Sequence, residues 1–316
     1  MKKPKKILLI SLIIIVVIVT GLVILLKILS AKPAVSNNYS SKVVATGILE
    51  QKYTGNGSSK VGYIEYESDD ENIRKIEIWY PKEIENGIDK YPVVIMANGT
   101  GVPASKYQAI FNHLASWGFI VVGNEDYESW DGESTSKSLD YILGLNSDSD
   151  SIFYDKINAG AIGVAGHSQG GVAAINAVTN YENSNRYKSI YTASTTQLDL
   201  CLNLKWSYDV SKIRIPYFMV AGDGKFDAET ISPYKSLKEN YDAISSEIPK
   251  VMARRKNTDH GQMLANADGY MTAWFCYTLM NDQEAKKVFC EDSAELISNV
   301  SNWMDVLMEN LEIAEY

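Results

Sequence analysis

The chain has 316 residues, of which 46% are hydrophobic and 22% charged, and its formal net charge is −9. This composition excludes a disordered or fibrous chain and supplies enough apolar residues for a sizeable core. The first 32 residues hold six lysines and no acidic residue, so the remainder carries 24 basic and 39 acidic residues. That acidic balance argues against nucleic acid or an anionic membrane surface as a partner.

The N-terminal segment predicts a membrane anchor. Residues 1–6 contain four lysines, residues 7–26 carry no charge, and Lys27 follows. Twenty such residues span about 30 Å as a helix, and the preceding lysines favour a cytoplasmic N-terminus. We therefore expect residues 1–29 to form a cytoplasmic basic end and a single-pass transmembrane signal anchor, with the rest of the chain outside the cell membrane. A cleaved signal peptide, which would make the protein secreted, is the alternative.

Residues 30–47 are rich in Ser, Asn, Ala and Lys and are interpreted as a linker. Residues 48–316 are interpreted as one domain in which strands and helices alternate. The runs that predict strands are 61–66, 75–81, 91–97, 119–123, 161–165, 189–193 and 216–221. The runs that predict helices are 105–117, 138–145, 172–178, 270–280 and 294–311. This alternation predicts a mostly parallel central sheet with helices on both faces.

A glycine-rich turn, residues 166–171 (Gly-His-Ser-Gln-Gly-Gly), lies between a predicted strand and a predicted helix. That is the context of a G-x-S-x-G nucleophile elbow, which lifts Ser168 to the top of the sheet. The backbone N–H of Gln169 would then face a developing oxyanion. The alternative interpretation is an ordinary helix start with a capping serine.

A serine hydroxyl needs a base to take its proton, and the chain has three histidines. His113 lies inside a predicted helix, where a packing or surface role is expected. His167 adjoins the serine, but the elbow is expected to direct neighbouring side chains apart. His260 lies in a late polar loop, and it alone satisfies the order of nucleophile, acid and histidine.

The acid is expected after the strand 216–221, where either Asp223 or Asp227 could orient the imidazole. Asp223 could instead cap its turn, and Asp259 is badly placed because it adjoins the histidine in sequence. The second oxyanion donor is expected in the loop after the strand 91–97. We place it at the backbone N–H of Thr100, with Gly101 as a neighbour that could substitute.

These residues lead to a family resemblance. The chain resembles the α/β-hydrolases grouped with the dienelactone hydrolases, and more closely their bacterial cutinase and polyester-hydrolase branch. The similar stretches are residues 166–171, 221–233, His260 and 270–290. In that branch a Thr-Ile-Ala-Pro-like stretch follows the acid, and the Thr-Ile-Ser-Pro run at 230–233 therefore favours Asp227 over Asp223. The resemblance covers roughly residues 60 to 291 and implies an α/β-hydrolase fold.

The resulting hypothesis is a serine ester hydrolase of class EC 3.1.1. Ser168 would be the nucleophile, His260 the base and Asp227 the acid, with the backbone N–H groups of Thr100 and Gln169 as oxyanion donors. The substrate would be a small-molecule, lipid or polymer ester, and no cofactor is required. The alternatives are an acyltransferase or peptidase on the same triad, and a non-catalytic membrane-anchored binding protein.

The sequence offers one stretch with metal-ligand spacing and one pair of cysteines that are close in sequence. Residues 146–150 have the spacing of the first calcium ligands of an EF-hand, but Ser151 and Ile157 replace the required glycine and acid. No metal site is therefore predicted. Cys276 and Cys290 could form a disulfide in an exported chain, or all the cysteines could be buried thiols.

Overall fold

The computed structural model describes residues 32–290 and 293–312, and within them nine strands form one sheet. The strands are β1 Val61–Glu67, β2 Lys75–Pro81, β3 Tyr91–Ala97, β4 Ile120–Asn124, β5 Ile157–His167, β6 Ser189–Ala193, β7 Tyr217–Gly222, β8 Lys250–Arg255 and β9 Trp303–Glu309. Their order across the sheet is β1-β2-β4-β3-β5-β6-β7-β8-β9. Neighbours from β4 to β8 pair in parallel, whereas β1–β2, β2–β4 and β8–β9 pair antiparallel. The predicted mostly parallel sheet is confirmed.

Helices cover both faces of this sheet. The α-helices of the described residues are α1 Ile48–Thr54, α2 Gln108–Ser116, α3 Glu133–Ser147, α4 Gln169–Asn180, α5 Leu198–Asn203, α6 Tyr234–Ala243, α7 Met263–Asn266, α8 Asp268–Met280, α9 Gln283–Phe289 and α10 Glu295–Ser298. Helices α2 and α8 contribute to the apolar cluster on one face of the sheet, and α3, α4 and α6 contribute to the cluster on the other. This layering of helix, sheet and helix fits the α/β-hydrolase fold.

Strand β3 shows why the central strands could be recognised. Successive side chains of a strand point to opposite faces, and here both faces are covered. Val94 belongs to one apolar cluster with Phe111 and Trp274, whereas Val93 belongs to a second cluster with Val172. A strand that is buried on both faces needs an uninterrupted apolar run, and such a run is visible in the sequence.

The prediction of a helix over residues 294–311 is wrong. Only α10 is helical there, and the segment then continues as β9, which pairs antiparallel with β8. Strand β8 was not predicted, because charged side chains interrupt its apolar pattern. One of them, Lys250, is buried and donates to the carbonyl oxygen of Ile244 at 2.7 Å and pairs with Glu309 at 2.9 Å. Partners distant in sequence stabilise these two strands, and local periodicity does not show them.

The N-terminal predictions have different outcomes. The predicted anchor, residues 1–29, lies outside the described residues. In the ranges that are described, no helix combines the length and apolar character needed to cross a membrane. Of the predicted linker 30–47, the part from Val35 onward belongs to the same compact unit as the sheet. Tyr39 is buried in this unit, and its hydroxyl donates to Asp268 at 2.5 Å.

The cysteines are thiols in the structure. Among the described residues no disulfide is present, and Cys201, Cys276 and Cys290 are all buried. Burial raises the pKa of Cys201 to about 12 and also raises that of Cys276. Of the two alternatives, the structure therefore has the buried thiols, and the Cys276–Cys290 bridge is not formed.

The sheet positions the turns that carry the candidate residues. Strands β3, β5, β7 and β8 are parallel, so their carboxyl ends lie at the same edge. The turns that follow them contain Thr100, Ser168, Asp227 and His260. Candidate residues that are up to 160 positions apart in sequence can therefore meet at this edge.

Candidate active site

Ser168 lies between the end of β5 and the start of α4, in a strained backbone conformation with φ 61° and ψ −122°. This conformation is the sharp turn that an elbow requires. The glycines of the turn are needed for close approach. A Cβ on Gly166 would collide with the carbonyl of Gly170, and one on Gly170 would collide with the carbonyl of Ala97. The local sequence therefore builds the predicted strand–turn–helix.

His260 reaches the serine from the turn that follows β8. Its Nε2 lies 3.0 Å from the Oγ of Ser168. The turn is fixed by Asp259, whose carboxylate accepts from the backbone N–H of His260 at 2.8 Å. The imidazole side chain is 16% exposed, so it is accessible from solvent while its position is constrained.

Asp227 lies on the other side of the imidazole, in a turn of π-helix at Asp227–Ile231 that follows β7. Its Oδ1 is 2.9 Å from the Nδ1 of His260. Its Oδ2 accepts from the Ser194 hydroxyl and from the backbone N–H of Gly222, both at 2.6 Å. Because a carboxylate only accepts, the Nδ1 carries the proton, and the Nε2 is free to accept from the serine hydroxyl.

The two other aspartates near the loop have different partners. Asp223 accepts from the backbone N–H of Thr258 at 3.2 Å. Asp259 accepts from the backbone N–H groups of His260 and Asp227, and these bonds lower the pKa of its carboxyl. Neither carboxylate has a hydrogen bond to an imidazole nitrogen among those of the described residues. The structure therefore brings Asp227, and not Asp223, to the histidine.

The two backbone N–H groups expected to bind the oxyanion are those of Gln169 and Thr100. That of Gln169 is at the first residue of α4, where no intrahelical carbonyl is available to it. In the turn after β3, the N–H of Gly99 donates to the Tyr107 hydroxyl at 2.9 Å. The N–H of Gly101 donates to the carbonyl of Tyr127 at 3.2 Å. Among the described residues, the N–H of Thr100 has no such partner, which favours it over Gly101 as a donor to a ligand.

His113 contacts residues that do not belong to this site. It is buried, its Nδ1 lies 2.7 Å from Asp268, and its Nε2–H donates to the carbonyl of Gly55 at 2.8 Å. Burial disfavours the charged imidazole, but the charge and hydrogen bond of Asp268 outweigh it and raise the pKa of His113. The residue thus has the packing role that its place in a helix predicted.

The expectation for His167 is wrong. Its side chain does not diverge from the site, because its Nε2–H donates to the carbonyl oxygen of His260 at 2.8 Å. The two imidazole rings lie 4.5 Å apart between centroids. His167 therefore holds the backbone of the histidine loop over the serine. No spacing in the sequence indicates this contact, since the two residues are 93 positions apart.

His167 is also expected to make stability depend on pH. Burial and the neighbouring His260 lower its pKa from 6.5 to about 4. The unfolded chain therefore takes up this proton first as the pH falls, and the stabilisation is present above pH 6.5 and lost towards pH 4. We expect this residue alone to reduce the free energy of unfolding by about 3 kcal/mol across that window.

The variant His167→Gln tests this contribution, because glutamine keeps an N–H donor but does not titrate. Urea unfolding at several pH values between 4 and 7 measures it. The difference in unfolding free energy between the variant and the wild type should shift in favour of the variant as the pH falls. Equal pH slopes for the two proteins would show that folding does not lower the pKa of His167.

The loop with calcium-like spacing forms a turn through its own side chains. Asn146 accepts from the backbone N–H of Ile157 at 2.8 Å, and Asp148 accepts from that of Asp150 at 3.0 Å. Within residues 32–290 and 293–312, no group of three or more His, Cys, Asp or Glu side chains is arranged to hold a metal ion.

The sequence of this chain is similar to that of known proteins. Residues 74–307 match the model of a family described as PET hydrolase-like. A curated relative, the bis(hydroxyethyl) terephthalate hydrolase of Streptomyces coelicolor (strain ATCC BAA-471 / A3(2) / M145), is 26% identical over 192 residues. That match covers 58% of this chain and 54% of the relative, so it spans about half of the relative's length.

Proposed function

The chain belongs to the PET hydrolase-like family, and from this premise we propose that it is a serine-dependent carboxylic ester hydrolase. The observation that supports the proposal most directly is the continuous hydrogen-bonded path from Asp227 through His260 to Ser168, with distances of 2.9 and 3.0 Å. The name of the curated relative, a hydrolase of a terephthalate diester, supports the same reaction class.

In the proposed reaction, the Oγ of Ser168 attacks the ester carbonyl while His260 takes the hydroxyl proton. The imidazolium is stabilised by Asp227 and then gives its proton to the leaving alcohol. The backbone N–H groups of Thr100 and Gln169 stabilise the negative charge on the carbonyl oxygen. Water activated by the same histidine then hydrolyses the acyl-enzyme and regenerates the serine.

A fluorophosphonate probe tests the proposal, because it phosphonylates only a serine that a nearby base activates. We expect the wild type to be labelled and to hydrolyse a short p-nitrophenyl ester, and Ser168→Ala to do neither. Ser211→Ala, at an exposed position of the short 3₁₀ helix Val210–Lys212, is the matched control and should be labelled like the wild type.

The possible results separate the candidate functions. Absence of labelling in the wild type would contradict the proposal and favour a non-catalytic binding protein. Labelling combined with transfer to an added alcohol, or with amide cleavage in preference to ester hydrolysis, would favour an acyltransferase or a peptidase instead.

We also propose that residues 1–29 anchor the protein in the cell membrane with the ester hydrolase domain on the outer side. The support is the lysine-flanked uncharged run of residues 7–26. Carbonate extraction of membranes tests this proposal. The full chain should stay in the membrane pellet, and its recovery in the supernatant would favour the cleaved, secreted form.

A further inference from the structure

A half-exposed aromatic ring lies against the proposed catalytic histidine. Phe226 is 51% exposed, and its ring centroid is 5.6 Å from that of His260 in an edge-to-face arrangement at 88°. Phenylalanine is usually buried, so an exposed ring that contacts a reactive group indicates a surface that a ligand can cover.

The position of this ring is fixed by the same turn that holds the acid. Phe226 directly precedes Asp227, and its backbone N–H donates to the carboxylate of Asp259 at 3.4 Å. That carboxylate also accepts from the N–H of Asp227 at 2.8 Å. These two hydrogen bonds therefore constrain the backbone that carries the ring.

A second apolar surface borders this turn. Helix α5 begins beside it, where the backbone N–H of Gln197 donates to the carbonyl of Ile231 at 2.7 Å. Leu198 and Leu202 are one helical turn apart on the same side of α5, and they are 39% and 59% exposed. The preceding residue of this segment, Thr196, donates its backbone N–H to the carbonyl of Ser168 at 3.4 Å. The segment that leads into the two exposed leucines is therefore hydrogen-bonded both to the nucleophile residue and to the acid turn.

The chemistry of the proposed reaction assigns a role to this apolar rim, defined as Phe226, Leu198 and Leu202. The histidine gives its proton to the oxygen of the leaving alcohol, so that alcohol must lie beside the imidazole. The ring of Phe226 flanks the same imidazole. An apolar alcohol group would therefore contact Phe226 and remove the exposed apolar area from water.

We propose that the apolar rim binds the alcohol part of the substrate, and that the substrate class is esters of aromatic or medium-chain aliphatic alcohols. This inference rests on the proposed function. Phe226 is the specificity-determining residue, and the two leucines extend the same surface.

Two series of esters test the inference in the full-length protein. In one series the acid is acetic acid and the alcohol is ethanol, hexanol or 2-phenylethanol. In the other the alcohol is ethanol and the acid is acetic or hexanoic acid. A pH-stat measures kcat/KM for each ester, and fluorophosphonate titration gives the concentration of reactive serine.

For Phe226→Ser, we expect the ratio of kcat/KM for 2-phenylethyl acetate to that for ethyl acetate to fall roughly fivefold to tenfold. The ratio for ethyl hexanoate to ethyl acetate should stay within about twofold of the wild type. Phe226→Leu should recover part of the loss, and Leu202→Ser should reduce the hexyl acetate ratio in the same direction.

The matched controls are Tyr154→Ser and Ile88→Ser. These side chains are 50% and 91% exposed, and they precede β5 and β3 at the opposite, amino edge of the sheet. Both variants should keep every ratio of the wild type.

The outcomes are distinguishable. If the wild type is labelled but the alcohol ratio of Phe226→Ser is unchanged, the rim does not bind the alcohol, and the proposed function still stands. An equal fall in kcat/KM for every ester of both series, which leaves the ratios unchanged, would mean that Phe226 acts only by supporting His260. If the ratios are unchanged, and sedimentation shows that the wild type is a dimer and Phe226→Ser a monomer, the rim is a contact between two copies of the chain. If the wild type neither reacts with the fluorophosphonate nor hydrolyses any of the esters, the proposed function itself is contradicted.

Discussion

Replacing His260 with alanine is expected to lower kcat for a short ester by roughly four to six orders of magnitude. The imidazole is the group within hydrogen-bond distance of both the serine hydroxyl and the buried carboxylate. Without it, the Ser168 hydroxyl keeps its proton, and the leaving alcohol has no acid beside it. Steady-state kinetics with a p-nitrophenyl ester, on protein checked for the wild-type melting temperature, measures the effect.

The double variant Ser168→Ala with His260→Ala provides the control for this prediction. Residues that act as one unit are not additive, so the double variant should be about as slow as either single variant. A His260→Ala protein that retains more than about a tenth of the wild-type kcat would contradict the proposed base. A further large loss in the double variant would mean that the two residues act independently.

Replacing Asp227 with asparagine is expected to lower kcat by about three to four orders of magnitude. The Ser194 hydroxyl and the Gly222 N–H both donate to Oδ2, so the new amide would place its oxygen there. Its NH₂ group would then face the Nδ1 of His260, which could only accept. The ring proton would move to Nε2, and that nitrogen could no longer take the serine proton.

Asp223→Asn is the matched control for this second prediction. The Asp223 carboxylate accepts from the backbone N–H of Thr258, and an amide oxygen can accept the same bond. We expect kcat within a few-fold of the wild type. A larger loss at Asp223 than at Asp227, in variants with equal melting temperatures, would overturn the assignment of the acid.

The order of the nucleophile, acid and histidine along the chain could be predicted from the sequence, because the elbow and the central strands each have a local sequence pattern. The elbow needs small residues at fixed positions around Ser168, and the central strands need continuous apolar runs. Both are properties of a few consecutive residues. The choice between Asp223 and Asp227, in contrast, depended on a family resemblance, because both follow the same strand.

Other features had no signature in the sequence. The partner of His167 is a backbone carbonyl 93 residues away, and no spacing rule indicates such a contact. Strand β8 contains charged residues that are stabilised by partners outside the strand, so its pattern resembles neither a buried nor an alternating strand. The segment 294–311 was predicted as a helix because its apolar spacing suits one, but pairing with β8 decided otherwise.

The sequence by itself determined the strand–turn–helix around Ser168, the alternation that yields the parallel sheet, and the order of serine, aspartate and histidine. These follow from steric and burial requirements that act on neighbouring residues. Only the tertiary structure decided which carboxylate reaches His260, what His167 holds and where an exposed ring flanks the imidazole. Those contacts join turns from different strands, and their geometry is set by strand pairing across the whole sheet.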